Sequence, residues 1–191
     1  MFHKSRSRFL ISLSAIGVFF GATSAFAADS GAVTWESQAK SACERSDFRQ
    51  FFEAFARSPR VQAKYTAKKI RVVKDGVGAD KTALKYSDFP IGMIDYNWVT
   101  GQSLRNLVAK VDAPFEYITL EMNQVADGRA RVDWVRMGYK NGSPNEGEEN
   151  DETGPYGKPG YLLFTPTKTG CWALIQDTQG GDADGPSRAK P

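Results

Sequence analysis

The stretch Asp47-Phe48-Arg49-Gln50-Phe51-Phe52-Glu53-Ala54-Phe55 decides how the chain folds. Its four phenylalanines fall at i, i+3, i+4 and i+7, the spacing that gathers them on one stripe of an α-helix. That stripe is wide enough to bury against a sheet, and Ser46 or Asp47 is placed to cap the helix. Ser58-Pro59 ends it. The same pair supplies N-cap and N1 of a short second helix running to Tyr65, because proline has no N–H to lose there.

Downstream the period changes to two. Residues 69–74 carry the β-branched Ile70, Val72 and Val73 and read as a strand followed by a glycine-bearing loop. Residues 89–99 are aromatic and apolar with Pro90 and Gly92 near the start, which predicts one strand with an irregular entry. Residues 103–111 fit neither period. Residues 115–125 and 129–139 form a hairpin about Asp127-Gly128, a dipeptide suited to left-handed turn torsions. On its second strand the apolar phase moves from Val132 and Trp134 to Val135, Met137 and Tyr139, which predicts a bulge or bend near Trp134. A second hairpin pairs 161–166 with 171–177. Upstream, residues 28–39 are polar and small apart from Trp35, a loose arm or helical lead-in, and the glycine-rich residues 180–191 are expected to be disordered. Helices first and strands afterwards give an α+β domain over residues 28–179, its phenylalanine helix packed across a curved antiparallel sheet of about five or six strands.

The N-terminus reads as a signal peptide. Lys4, Arg6 and Arg8 precede an apolar run over residues 9–20, too short for a bilayer core that needs roughly 20 residues. Ala25-Phe26-Ala27 supplies the small side chains required before cleavage, expected after Ala27. The expected protein is periplasmic or secreted, without stable membrane insertion. Removing those 27 of 191 residues takes three basic side chains from 25 and no acid from 22, so the mature balance is 22 against 22. Nucleic acid is therefore not an expected partner. The sole histidine, His3, leaves too, which excludes Ser-His-Asp and Cys-His activation and the commonest metal ligand. Two cysteines remain, Cys43 and Cys171, and in an oxidising compartment they are expected to form a disulfide. Closing so long a loop restricts the unfolded chain by roughly 4 to 5 kcal/mol in the entropic description.

The phenylalanine phrase, Val61-Gln62 and the closing Gly170-Cys171-Trp172-Ala173-Leu174-Ile175-Gln176-Asp177 together resemble exported bacterial proteins related to the NTF2-like superfamily. The resemblance implies N-terminal helices in the concave side of a strongly bent antiparallel sheet. That superfamily holds enzymes, ligand binders and interaction modules, so the fold leaves function open. Catalytic members often rely on an Asp-His pair in the cone, and the mature chain has no histidine to match it.

Three groups of residues are candidate sites. Asp95, Tyr96, Asn97 and Trp98 alternate along the expected strand, so Tyr96 and Trp98 either pack into the core or stand at the mouth of a concave pocket. Asp133 and Arg136 flank the expected bend, where they either form a surface pair or line the inside of the sheet. Glu148, Glu149 and Asp151, with Glu146 and Glu152, make an acidic loop bounded by Pro144 and Gly154-Pro155. Its spacing does not match a calcium loop, which leaves a solvated loop or a recognition element for a basic partner. No cofactor or metal site and no catalytic residue are expected. The expected function is a non-enzymatic binding protein acting on a protein or small ligand, inhibitor or immunity-type proteins included. The alternative is a small histidine-independent enzyme using carboxylates and tyrosine, such as Asp95, Asp133 and Tyr96, in the concave pocket.

Overall fold

The computed structural model describes residues 34–144 and 152–180. The expected signal peptide, Glu148, Glu149 and Asp151 of the acidic loop, and residues 181–191 of the tail lie outside the described residues.

The lead-in to the phenylalanine stretch is helical: α1 spans Trp35–Glu44, and the Thr34 side chain caps it by accepting from the Ser37 amide. Helix α2, Phe48–Arg57, is capped by Asp47, whose carboxylate accepts from the Gln50 amide at 3.0 Å. Phe48, Phe51, Phe52 and Phe55 are all buried. Helix α3, Pro59–Tyr65, opens on Ser58 as cap and Pro59 in its first turn.

Two long strands follow, β1 (Thr66–Lys74) and β2 (Val77–Thr82), joined at Asp75-Gly76, both in the left-handed region. Residues 89–99 correct the expectation of a single strand. They form a tight hairpin of β3 (Ile91–Ile94) and β4 (Asn97–Thr100), with Asp95 and Tyr96 as its turn. Asp95 has φ 53°, a torsion that aspartate tolerates better than most residues. The unassigned stretch after it is α4, Gly101–Val108, capped by the Thr100 hydroxyl. The hairpin of β5 (Ile118–Gln124) and β6 (Ala130–Tyr139) turns through Asp127 and Gly128, both with positive φ. The last pair is β7 (Glu152–Pro166) and β8 (Trp172–Gln179).

The main sheet has six strands in the order β2-β1-β8-β7-β6-β5. It is mixed, which corrects the antiparallel expectation: the first hairpin is laid beside the final strand, and β1 runs parallel to β8. The bend expected near Trp134 is present. The register slips between Trp134 and Arg136, opposite Gly160 and Tyr156, so the additional residues belong to β7 and include Gly157 at φ 72°. Curvature of this kind gives the sheet a concave side, and the helices fill one end of it.

Phe164 of β7 is the meeting point, its ring 5.3 Å from those of Phe48 and Phe55 and about 6 Å from those of Phe51 and Phe52. Trp172 closes the same cluster against Phe48 and Phe51. Burying each such side chain contributes about 1.5 to 3 kcal/mol. The Cys43–Cys171 disulfide joins α1 to the entry of β8 across 128 residues, as the cysteine count led one to expect.

Candidate binding site at the open end of the sheet

Alternation along the strands decides what faces inward. On β1, Ile70 and Val72 are core residues, and Lys74 is next on that side. On β6 the inward row runs Val132, Trp134, Arg136, and on β7 it runs Phe164, Leu162, Gly160. The pairing of Leu163 with Gln176 and of Phe164 with Leu174 leaves Ile175 as an additional residue on β8. That residue changes the phase, so Asp177 and Gln179 face inward opposite Val72 and Lys74. The inward rows of β1, β6 and β8 are thus apolar beside the helices and polar beyond them, while that of β7 ends in Gly160.

The polar ends surround an open cavity of about 260 Å³, lined by Lys74, Asp75, Trp134, Arg136, Lys158, Gln179 and Gly180. Trp134 lies against the Gly160 backbone, where any Cβ would stand 2.5 Å from the indole. The indole is 6% exposed and its N–H has no acceptor. Arg136 Nε lies 3.2 Å from Glu116 Oε1 but is not aligned for a hydrogen bond. Lys74 stands 3.5 Å from Asp88. At the rim, Lys158 pairs with Asp75 at 2.8 Å, which holds the Asp75 carboxyl below its usual range.

Beneath the cavity wall, Asp177 is fully buried. Its Oδ2 accepts from the Tyr86 hydroxyl and from Gln179 Nε2, each at 2.8 Å, while Oδ1 has no partner. Burial pushes its carboxyl up to about 6, against the opposing pull of Gln179, Tyr86 and the charges of Lys74 and Lys81. Burial, followed by the neighbouring Asp177 charge, raises the Tyr86 phenol well above its ordinary value. Asp88 stays below the usual range despite partial burial, because the Ser87 hydroxyl, Lys74 and Lys81 outweigh it. Among the described residues no three histidine, cysteine, aspartate or glutamate side chains are grouped to hold a metal ion.

The sequence candidates are dispersed. Arg136 lines the cavity. Tyr96 is 87% exposed on its hairpin turn, and the Asp95 carbonyl accepts from Arg57. Trp98 packs on Phe52 at 5.6 Å. Asp133 faces the convex side, bonded by Arg131 at 2.6 to 3.0 Å, and that guanidinium lies 4.0 Å over the Tyr161 ring. Lys74, Tyr86, Asp177 and Gln179 were not singled out. Lys74 was legible as the next inward position after Ile70 and Val72, whereas Asp177 is hidden by the bulge at Ile175.

Helices in the hollow of a bent sheet are the arrangement that the resemblance of the sequence phrases implies. No family model and no curated protein matches the chain. Among solved structures it is similar to a DUF4783 family protein of Bacteroides ovatus, at 8% identity over 76% of this chain and 94% of that one, TM-score 0.33. It is also similar to a provisionally assigned ketosteroid isomerase of Shewanella frigidimarina, at 12% identity over 78% and 94%, TM-score 0.36. A provisionally assigned polyketide cyclase of Xanthomonas campestris pv. campestris aligns at 13% identity over 75% and 84%, TM-score 0.27. Likeness at this level transfers no activity.

Proposed function

We propose that this chain is an exported, non-enzymatic binding protein, one domain over residues 28–179, whose open concave cavity holds a small ligand. The observation that carries the reading is the open cavity itself, at the end of the concave face that the helices leave unfilled, with the cationic side chains of Lys74 and Arg136 in its wall. Export is supported by the basic-then-apolar N-terminus and by the disulfide. No helix among the described residues is long and apolar enough to cross a membrane.

The enzyme alternative finds its carboxylate and phenol in Asp177 and Tyr86 rather than in Asp95, Asp133 and Tyr96. Asp177 exposes no surface, so a molecule in the cavity meets Gln179 before the carboxylate, which favours binding over acid-base work. An inhibitor or immunity-type role is the variant in which the cavity receives a side chain of a partner protein. Thermal-shift screening of the periplasmically purified protein against small polar metabolites tests the reading. The expected hits raise the melting temperature of the wild type and leave Trp134→Phe unmoved; an equal shift in both proteins would remove the cavity from the account.

A further inference from the structure

The cavity has an excess of donors. Lys74 and Arg136 each carry more N–H groups than their single carboxylate neighbours engage. Among the lining side chains, acceptors are limited to Asp75, already engaged by Lys158, and the Gln179 amide oxygen. The complement of such a wall is a compact group with several acceptor oxygens, and carboxylates and sulfate or phosphate groups share that chemistry. The wall is also joined to a buried acid. Gln179 lines the cavity and donates to Asp177. Lys74 lines it too, and its charge favours the ionised form of Asp177.

Resting on the ligand-binding reading above, we propose that the cavity takes an oxyanion and that its arrival places a proton from solvent on the Asp177 carboxylate. No covalent bond to the ligand forms; one O–H bond is made at Asp177, and the proton offsets one unit of the negative charge that the anion brings. The physical cause is electrostatic. An anion seated on Lys74 and Arg136 offsets the Lys74 charge that opposes protonation and adds a like charge near a carboxylate that burial already disfavours. The charged and titratable groups facing Asp177 and its partners are Lys74 from β1, Lys81 from β2, Tyr86 and Asp88 from the segment before β3, and Arg105 of α4 toward Tyr86; Gln179 is neutral. Because Asp177 sits at about 6 in the empty site, a modest upward push brings it into the neutral range.

Isothermal titration with benzoate and, separately, with sulfate at pH 7 in buffers of different ionisation enthalpy tests this, since neither anion titrates there. The expected result is binding of at least one anion with uptake of roughly half a proton or more per site. The two arms show whether a planar carboxylate or a tetrahedral group fits. In Asp177→Asn the anion still binds and the uptake disappears. Should that variant fail to fold, wild-type affinity from pH 7.5 to 5.5 serves instead, with several-fold tightening expected. Absence of binding by both anions overturns the oxyanion site together with this proposal, while leaving uncharged ligands to the screen above. Binding without buffer dependence and without tightening at low pH overturns the proton coupling alone, as does uptake that persists in Asp177→Asn.

Discussion

Val132 and Trp134 are two residues apart on β6, face the same way and both belong to the core, yet one is fully buried and the other has an edge that lines the cavity. The same transition occurs from Val72 to Lys74 on β1 and from Leu162 to Gly160 on β7. One end of the concave face is filled by α2 and the other is not, although the same strands build both. The difference teaches that filling, rather than strand pairing, separates the stabilising part of the face from the part available to a ligand. Asp177 lies at the boundary, paired across the sheet with Val72 and Leu162.

The largest expected effect is at the filled end. Phe164→Ala removes the ring that all four α2 phenylalanines meet and should cost about 3 to 5 kcal/mol in urea unfolding, because α2 cannot follow the shortened side chain while α1 is tied to β8. A loss below about 1 kcal/mol would mean that the two ends are packed alike. Next comes the tie itself. Cys43→Ser should cost about 2 to 4 kcal/mol by the same measurement, with ligand-induced thermal shifts retained, since the bridge lies among the core residues and not at the cavity.

The boundary residue gives an effect of opposite sign. A carboxyl pushed up to about 6 binds its proton more tightly in the folded state than in the unfolded chain, near 3.9. Its contribution to stability is therefore full below pH 4, declines as pH rises through 4 to 6, and stays low above that. Asp177→Asn keeps an oxygen to accept from Tyr86 and Gln179 without the charge. It should match wild type near pH 4 and exceed it by about 2 to 3 kcal/mol at pH 7. Parallel stability curves from pH 4 to 8 would show that Asp177 is not held as a destabilised acid.

How legible these regions were follows from the same comparison. The filled end is written in local periods: four phenylalanines at helical spacing, Asp47 and Ser58 as caps, Asp127-Gly128 as a turn. Those signals depend only on neighbours in sequence, so the α+β class, α2, α3 and both late hairpins could be read directly. The parallel β1–β8 pairing joins the two ends of the domain, and no local pattern encodes it. The site fared worse because its rows are set by departures from period two. Ile175 inverts the phase that would have sent Asp177 outward, and the β7 bulge opens the sheet beside Trp134. Tyr96 was misplaced for a related reason: a turn at Asp95-Tyr96 within an apolar stretch looks like continued strand until its torsions are known.

The smallest stability effect probes the open end through its one close backbone contact. A Cβ on residue 160 would meet the Trp134 indole at 2.5 Å and the Thr178 carbonyl at 2.6 Å. Both neighbours have to give: the indole lifts from the β7 backbone, and the β7–β8 pairing at Thr178 shifts with it. Gly160→Ala should therefore cost about 1 to 3 kcal/mol, at or below the Phe164→Ala loss, and abolish ligand-induced thermal shifts. The crystal structure of the variant should show Trp134 in the space that the ligand would use, with α2 and Phe164 unmoved. If ligands still shift the variant's melting temperature while Trp134 is displaced, the indole does not shape the ligand's seat, and recognition rests on Lys74 and Arg136 alone.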